Sequence, residues 1–249
     1  METLNQIIAE YKQNHTQSAC YQPRFFRLSL ASDVLQFRDL LAATPAIKIY
    51  DEIELQMEEL VTCRHPKRKL SKEALDKKIK GLLGGNPSEV YGVWVYYPWK
   101  QTLVHVLDEE DYIEVRTNRN QYKITPQEQA LARTKKIGVV GLSVGHTIAT
   151  VLATERLFGE IRLADFDTLA LSNMNRIFSQ NEALGLSKVI HTARKIVEID
   201  PFLRVTCFDQ GLNEENIVSF LTEEGPLDLC LEECDGLYVK VLVRQMARQ

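Results

Sequence analysis

Short apolar runs alternate with amphipathic stretches from Lys135 onward. IGVV, Ile137 to Val140, is an unbroken apolar run of the kind a strand buried on both faces requires. It ends in a turn containing Gly141, Ser143 and Gly145. His146 to Leu157 then has helical spacing, with Ile148, Val151, Leu152 and Ala153 expected inward. Ile161 to Ala164 reads as a second strand. Ser187 to Ile199 reads as a helix with Val189, Ala193, Ile196 and Val197 on one face, stopped by Pro201. Val205 to Phe208 and Leu227 to Leu231 give two more strands around a helix over Asn213 to Leu221, and Gly236 opens a last helix. Strands that alternate with helices predict an α/β fold built on a doubly wound, mostly parallel, Rossmann-like sheet.

Residues 1–125 have a different pattern and are expected to form a smaller α+β region, leaving 126–249 as the nucleotide-binding domain. Leu4, Ile7, Ile8 and Tyr11 have helical spacing. Phe25 to Leu30 is strand-like, and Ser32 is placed to cap a helix ending near Ala43. Glu52 to Val61 and a stretch opened by Ser71 read as helices, with the basic run Arg64 to Lys69 between them as a solvated loop. Val90 to Tyr97, Thr102 to Leu107 and Tyr112 to Arg116 are rich in aromatic and β-branched residues and predict three strands of an antiparallel sheet. Thr125-Pro-Gln-Glu128 has the form of a capping box that starts a helix running to about Arg133.

Composition narrows the function. The chain has 249 residues, 45% hydrophobic and 26% charged, with a formal net charge of −4. It has no global basic footprint, so nucleic acid is not expected as the main partner. No apolar run reaches the ~20 residues that span a bilayer, and METLNQIIAEYKQNH lacks a signal-peptide apolar core. A cytoplasmic protein without membrane contact is the expectation. The five cysteines form no C-x-x-C pair and are expected as reduced, mostly buried thiols.

Ligands of such a sheet sit at the carboxyl ends of the strands, where Gly141, Ser143, Gly145, Asp165 and Asp235 all fall. A tight turn at Gly141 and small residues at 143 and 145 would let backbone N–H groups approach a phosphate at a helix N-terminus. Asp165, 24 residues past Gly141, stands where an acid commonly accepts ribose hydroxyls. Ser172, Asn173, Asn175 and Arg176 form a polar group beyond it, and Lys188 opens the next helix. Arg176 and Lys188 would bring two cations to a polyphosphate, and Asp235 could hold Mg²⁺ through one carboxylate. A dehydrogenase needs neither. The set therefore reads as nucleoside triphosphate chemistry.

With these motifs in view, residues 136–244 resemble the ThiF/MoeB/HesA family, bacterial relatives of ubiquitin-activating enzymes. The resemblance rests on VVGLSVG, LADFDTLALSNMNR, LGLSKV, EIDPFLRV and DLCLEECDGLYVK, in that order. It implies an adenylyltransferase that uses ATP and Mg²⁺ to activate the C-terminal carboxylate of a ubiquitin-like or sulfur-carrier protein, commonly as a homodimer. Carried over, Asp165, with Asp167 in the same D-x-D segment, would face the ribose. Ser172, Asn173, Asn175 and Arg176 would hold the phosphates beside Lys188, and Asp235 would bind the metal. An arginine before the first strand, Arg119 with Arg116 second, would complete the catalytic set of Arg176, Lys188 and Asp235. Ser143 and Val144 stand where the family turn carries glycines, Gly236 follows Asp235 in place of Asn, and family members continue past the position of Gln249, so the chain is expected to be a fragment. The alternatives are a binding or scaffold protein that keeps the fold without turnover, and an NAD(P)-dependent oxidoreductase.

Overall fold

The computed structural model describes residues 4–11, 19–67 and 69–248. Parts of the amino-terminal segment, and Arg68 of the basic run, lie outside the described residues. The elements in chain order are α1 (Leu4–Tyr11), β1 (Arg24–Phe26), α2 (Ala31–Ala43), β2 (Lys48–Asp51), α3 (Ile53–Arg64), α4 (Lys72–Leu83), β3 (Val93–Tyr97), β4 (Thr102–Val106), α5 (Glu109–Thr117) and α6 (Pro126–Ala132). The second half continues with β5 (Lys136–Val140), α7 (Gly145–Glu155), β6 (Glu160–Ala164), α8 (Lys188–Ile199), β7 (Arg204–Phe208), α9 (Ile217–Thr222), β8 (Leu229–Glu232) and α10 (Leu237–Met246).

The second half is the expected doubly wound sheet. Its order is β7-β6-β5-β8, and every pairing is parallel. Alternation along the strands splits the side chains between two cores. Ile137, Val139, Ile161 and Leu163 face α7 and α8, whose Ala149, Ala153, Val189, Ala193, Ile196 and Val197 are buried against them. Val140 and Ala164 face the other way, onto Phe220 and Leu221 of α9 and Leu242 and Val243 of α10. All four positions assigned to the inner face of α8 are buried. On α7, Val151 is exposed and Ala149 takes the inward place, because the helix presents its small residues to β5 and α8.

The first half is built on a mixed sheet of order β1-β3-β4-β2, with β2 parallel to β4 and the other pairings antiparallel. Three expectations change here. Tyr112 to Arg116 belongs to helix α5, not to a strand. Glu109, Glu110 and Asp111 fill its first turn, where the helix dipole favours negative charge. Ser32 does not cap α2. Its N-cap position is Leu30, and Asp33 accepts the N–H of Arg27 instead. Strand β2, with every residue exposed, has no burial pattern to announce it. The capping box at Thr125 and Glu128 forms as expected, and Ser71 caps α4. Arg64 is pinned to Asp111 at 2.6 Å and to Glu114 at 2.7 Å, so that end of the basic run is tied down.

The two halves share one apolar cluster. Val93, Val95, Tyr97 and Val106 of the mixed sheet pack into the core on the α7/α8 side of the parallel sheet. Hydrogen bonds fasten the seam to α8: Tyr97 donates to the Val197 carbonyl (3.2 Å) and Tyr112 to that of Ile199 (3.1 Å). This places α8 between two sheets, with only its N-terminal end reaching the cleft at the strand ends.

Candidate nucleotide cleft

A cleft of about 210 Å³ opens at the carboxyl ends of β5, β6 and β8. Its floor is the turn after β5. Gly141 has φ of +85°, and a Cβ there would come within 2.8 Å of the Glu233 carbonyl carbon and 2.9 Å of the Cys234 nitrogen. Glycine is required by both conformation and space. Gly145 serves packing: a Cβ would meet Val139 Cγ1 at 2.7 Å, so the glycine lets α7 lie close on β5. Val144, between them, has φ of −89° and an exposed side chain. That position needs no glycine, and its β-branched residue stands clear of the cleft. Helix α7 starts with no side-chain cap, so its N-terminal N–H groups are available to an anion.

Asp165 braces the turn. One carboxylate oxygen accepts the N–H of Leu142 at 2.6 Å and the other that of Asp167 at 2.8 Å. These bonds hold the glycine turn to the end of β6. Each oxygen keeps a lone pair for a further donor.

Lys188 sits at the start of α8 and is only 5% exposed. Its ammonium is 2.7 Å from Asp167 and 3.4 Å from the hydroxyl of Ser143. The Lys188 N–H donates to the Asp167 carbonyl, and Thr168 and Ser187 form an antiparallel bridge, so the strand end and the helix start are held together. Asp167 is half-exposed, so one wall of this ion pair faces water.

Gly141, Ser143, Asp165, Asp167, Lys188 and Asp235 all line the cleft. Ser172, Asn173, Asn175 and Arg176 lie on the following loop, outside its lining. The Arg176 guanidinium turns back to Asn175 Oδ1 (2.9 Å) and the Ser172 carbonyl (3.4 Å), and Asn173 Oδ1 accepts the N–H of Ala170. Thr147 Oγ1 donates to the Arg176 carbonyl and ties the loop to α7. Arg119 is exposed and outside the cleft of its own chain. Arg116 bonds to Asp200 (3.1 Å) and to the carbonyls of Ala153 and Thr154 at the far end of α7. There Asp200, fully buried, also binds Arg156 at 2.7 Å and accepts the N–H of Phe202.

The sequence reading missed the cleft's apolar wall, made by Phe166, Leu212 and Val239 with Gly211 beside them. Phe166 is 74% exposed at the mouth and lies against Gly211, where a Cβ would fall 2.9 Å from its ring. A bare phenylalanine between two aspartates at a strand end was the available signal. Glu233 and Cys234 also line the cleft. Burial, with Glu232 and Asp165 nearby, pushes the Cys234 thiol up to about 12, which favours its protonated form.

The acids around the cleft, Asp165, Asp167, Glu233 and Asp235, offer only oxygen donors, which suit magnesium rather than zinc. No described hydrogen bond or ion pair engages the exposed Asp235 carboxylate, and no group of three or more potential ligands converges among the described residues. An unengaged carboxylate is the kind of single ligand that a hydrated magnesium takes. Nor does any described helix have the length and apolarity to cross a membrane.

The apolar wall, the uncapped start of α7 and the buried Lys188 ammonium meet at one strand-end cleft of an α/β, doubly wound sheet. The chain belongs to the ThiF family, whose profile matches residues 116–249 and so includes the segment with Arg116 and Arg119. Over 154 residues it is 45% identical to an uncharacterized protein of Mycobacterium tuberculosis (strain CDC 1551 / Oshkosh), covering 62% of this chain and 21% of that one. Ubiquitin-like modifier-activating enzyme 5 of Drosophila pseudoobscura pseudoobscura is 29% identical over 120 residues, 45% of this chain and 30% of that protein. The chain thus spans less than a third of either curated relative. Among solved structures, E. coli tRNA N6-threonylcarbamoyladenosine dehydratase, TcdA, in complex with AMP matches 57% of each chain with a TM-score of 0.52 and 25% identity.

Proposed function

We propose that the chain binds ATP in this cleft and adenylates a carboxylate, the acceptor being the C-terminus of a ubiquitin-like or sulfur-carrier protein. The observation that carries the reading is Lys188: a nearly buried ammonium beside Ser143 of the glycine turn, at the uncapped start of α7. A buried cation and a helix N-terminus at one point favour a polyanion. The AMP-bound relative and the ubiquitin-like modifier-activating relative support the same chemistry.

In this reading residues 126–249 carry the chemistry. The base lies on Phe166, and the free lone pairs of Asp165 accept ribose hydroxyls. Lys188 exchanges Asp167 for phosphate oxygens, and Arg176 swings inward from Asn175 to join it beside Ser172, Asn173 and Asn175. The acceptor carboxylate attacks the α-phosphorus. Its oxygen–phosphorus bond forms as the bond to the bridging oxygen breaks, and pyrophosphate leaves with the electron pair. Lys188 and Arg176 neutralise the charge that develops. Asp235 would hold the magnesium ion, which supplies further charge neutralisation on the phosphates. Arg119, exposed and outside its own cleft, would serve a second copy in a homodimer.

The test is ATP–pyrophosphate exchange with Mg²⁺ and candidate carrier proteins, on wild type and Asp235→Ala. The reading expects exchange that depends on carrier and is lost in the variant. ATP binding without exchange under any condition would support a scaffold that keeps the fold. Preference for NAD over ATP would support hydride chemistry.

A further inference from the structure

Among the described residues the mixed sheet ends in an unpaired edge. Strand β2 pairs only with β4, and its other side has no partner among the described strands. All four residues are exposed, including Ile49 at 51% and Tyr50 at 55%. The N–H of Lys48 donates to the Gln101 carbonyl, toward β4. Backbone groups alternate along a parallel strand, so Lys48 and Tyr50 serve the ladder, and Ile49 and Asp51 turn N–H and C=O outward. Such an edge is a template for an added strand.

A cleft of about 690 Å³ runs beside this edge. Lys48 and Tyr50 overhang it on the face turned to α8, and Thr102, Lys100 and Trp99 continue that wall. The opposite wall is α8, with Arg194 and Lys195, and the loop that carries Glu182 and Leu186. Among the described residues four cations and two carboxylates, Glu182 and Glu198, line it, a surplus of two positive charges (4 − 2), with Arg194 buried and its Nε donating to the Cys20 carbonyl. Glu198 is already claimed by Lys100 at 2.7 Å, Lys195 at 3.7 Å and the Trp99 indole N–H at 2.7 Å. The groove therefore presents positive charge although the whole chain is negative, at −4.

We propose that this groove binds an acidic, extended peptide segment as a fifth strand on β2. Main-chain bonds to Ile49 and Asp51 provide the pairing. Alternate side chains of the guest point over α8, where carboxylates meet Lys48 and Lys195, and the intervening apolar side chains lie on the other face beside the exposed Ile49. An outward-facing strand edge selects a polypeptide, whose backbone repeats N–H and C=O at the strand spacing, over nucleic acid, whose sugar–phosphate backbone has no such repeat. The groove reaches the nucleotide cleft through α8. Lys188 and Lys195 are seven residues apart (195 − 188), or roughly 10 Å at 1.5 Å per residue. A guest on β2 thus lies within a few residues' reach of the ATP cleft. The site stands whether or not the cleft adenylates anything, because its binding needs no nucleotide.

The experiment is fluorescence anisotropy, without ATP, using a fluorescein-labelled peptide of alternating valine and glutamate. Its valine–lysine counterpart and labelled oligothymidylate are the controls. The acidic peptide should bind best and weaken with added salt. Ile49→Pro removes the outward donor without breaking the β2–β4 ladder and should weaken binding about tenfold or more. Circular dichroism checks that it folds. Lys48→Glu, a change at an exposed side chain, should shift the preference toward the basic peptide. Equal binding of both peptides, tighter binding of oligothymidylate, or unchanged affinity in folded Ile49→Pro would each overturn the proposal.

Discussion

The two ends of the parallel sheet each bury charge, and they use it in opposite ways. At the far end Asp200 is sealed. It is fully buried, bonded to Arg116, Arg156 and the N–H of Phe202, and these partners come from α5, the end of α7 and the loop after α8. At the cleft end Lys188 is nearly as buried, yet its partner Asp167 is half in water and its neighbour is an uncapped helix N-terminus. A closed set of partners makes a fastening between the two halves. An open one makes a cation that can exchange its partner for a ligand.

The sharpest way to break the comparison is to remove each charge in turn. Asp200→Ala strands two guanidinium groups and should cost about 3–5 kcal/mol of stability in urea unfolding. Any ATP bound by the remaining folded protein should bind normally. Lys188→Ala should do the reverse. We expect pyrophosphate exchange to fall about 10²–10³-fold, with a much smaller change in the unfolding midpoint.

A third test uses pH. His146 and His191 stack 5.2 Å apart between α7 and α8, and His146 bonds to Thr192. Burial, with His191 and Lys195 nearby, lowers His146 from 6.5 to about 4, so it is neutral when folded. The unfolded state takes up the proton first. This contribution is therefore complete above about 6.5 and is lost as pH falls toward 4, by roughly 3 kcal/mol at the lower limit. His146→Gln should flatten that part of the stability–pH curve.

Two smaller effects separate the glycines of the turn from its valine. Gly141→Ala should cost roughly 1–3 kcal/mol and weaken ATP binding, because the turn must move away from Glu233. Val144→Gly should change ATP affinity by less than about twofold, since Val144 has an ordinary φ and an outward side chain. A large gain in affinity would show that the valine obstructs the site.

These residues also show how far the sequence could be read. The lining positions Gly141, Asp165, Lys188 and Asp235 are legible because strand and helix periods place them at strand ends, where ligands bind. The bracing bonds of Asp165 are not, since they depend on distances between two loops. Phe166 was passed over because an isolated aromatic ordinarily signals core. In the first half, β2 is exposed throughout and so leaves no alternation in KIYD. Helix α5 hides behind Tyr112, Ile113 and Val115, residues that favour strands, while its acidic first turn decides the outcome.

Calorimetric titration of ATP with Mg²⁺ into wild type and Lys188→Ala, with Asp200→Asn as the control at the fastening, tests the central distinction most directly. The account predicts that Lys188→Ala loses about tenfold or more in affinity and that the control binds as wild type does. Equal affinities for wild type and Lys188→Ala would contradict it.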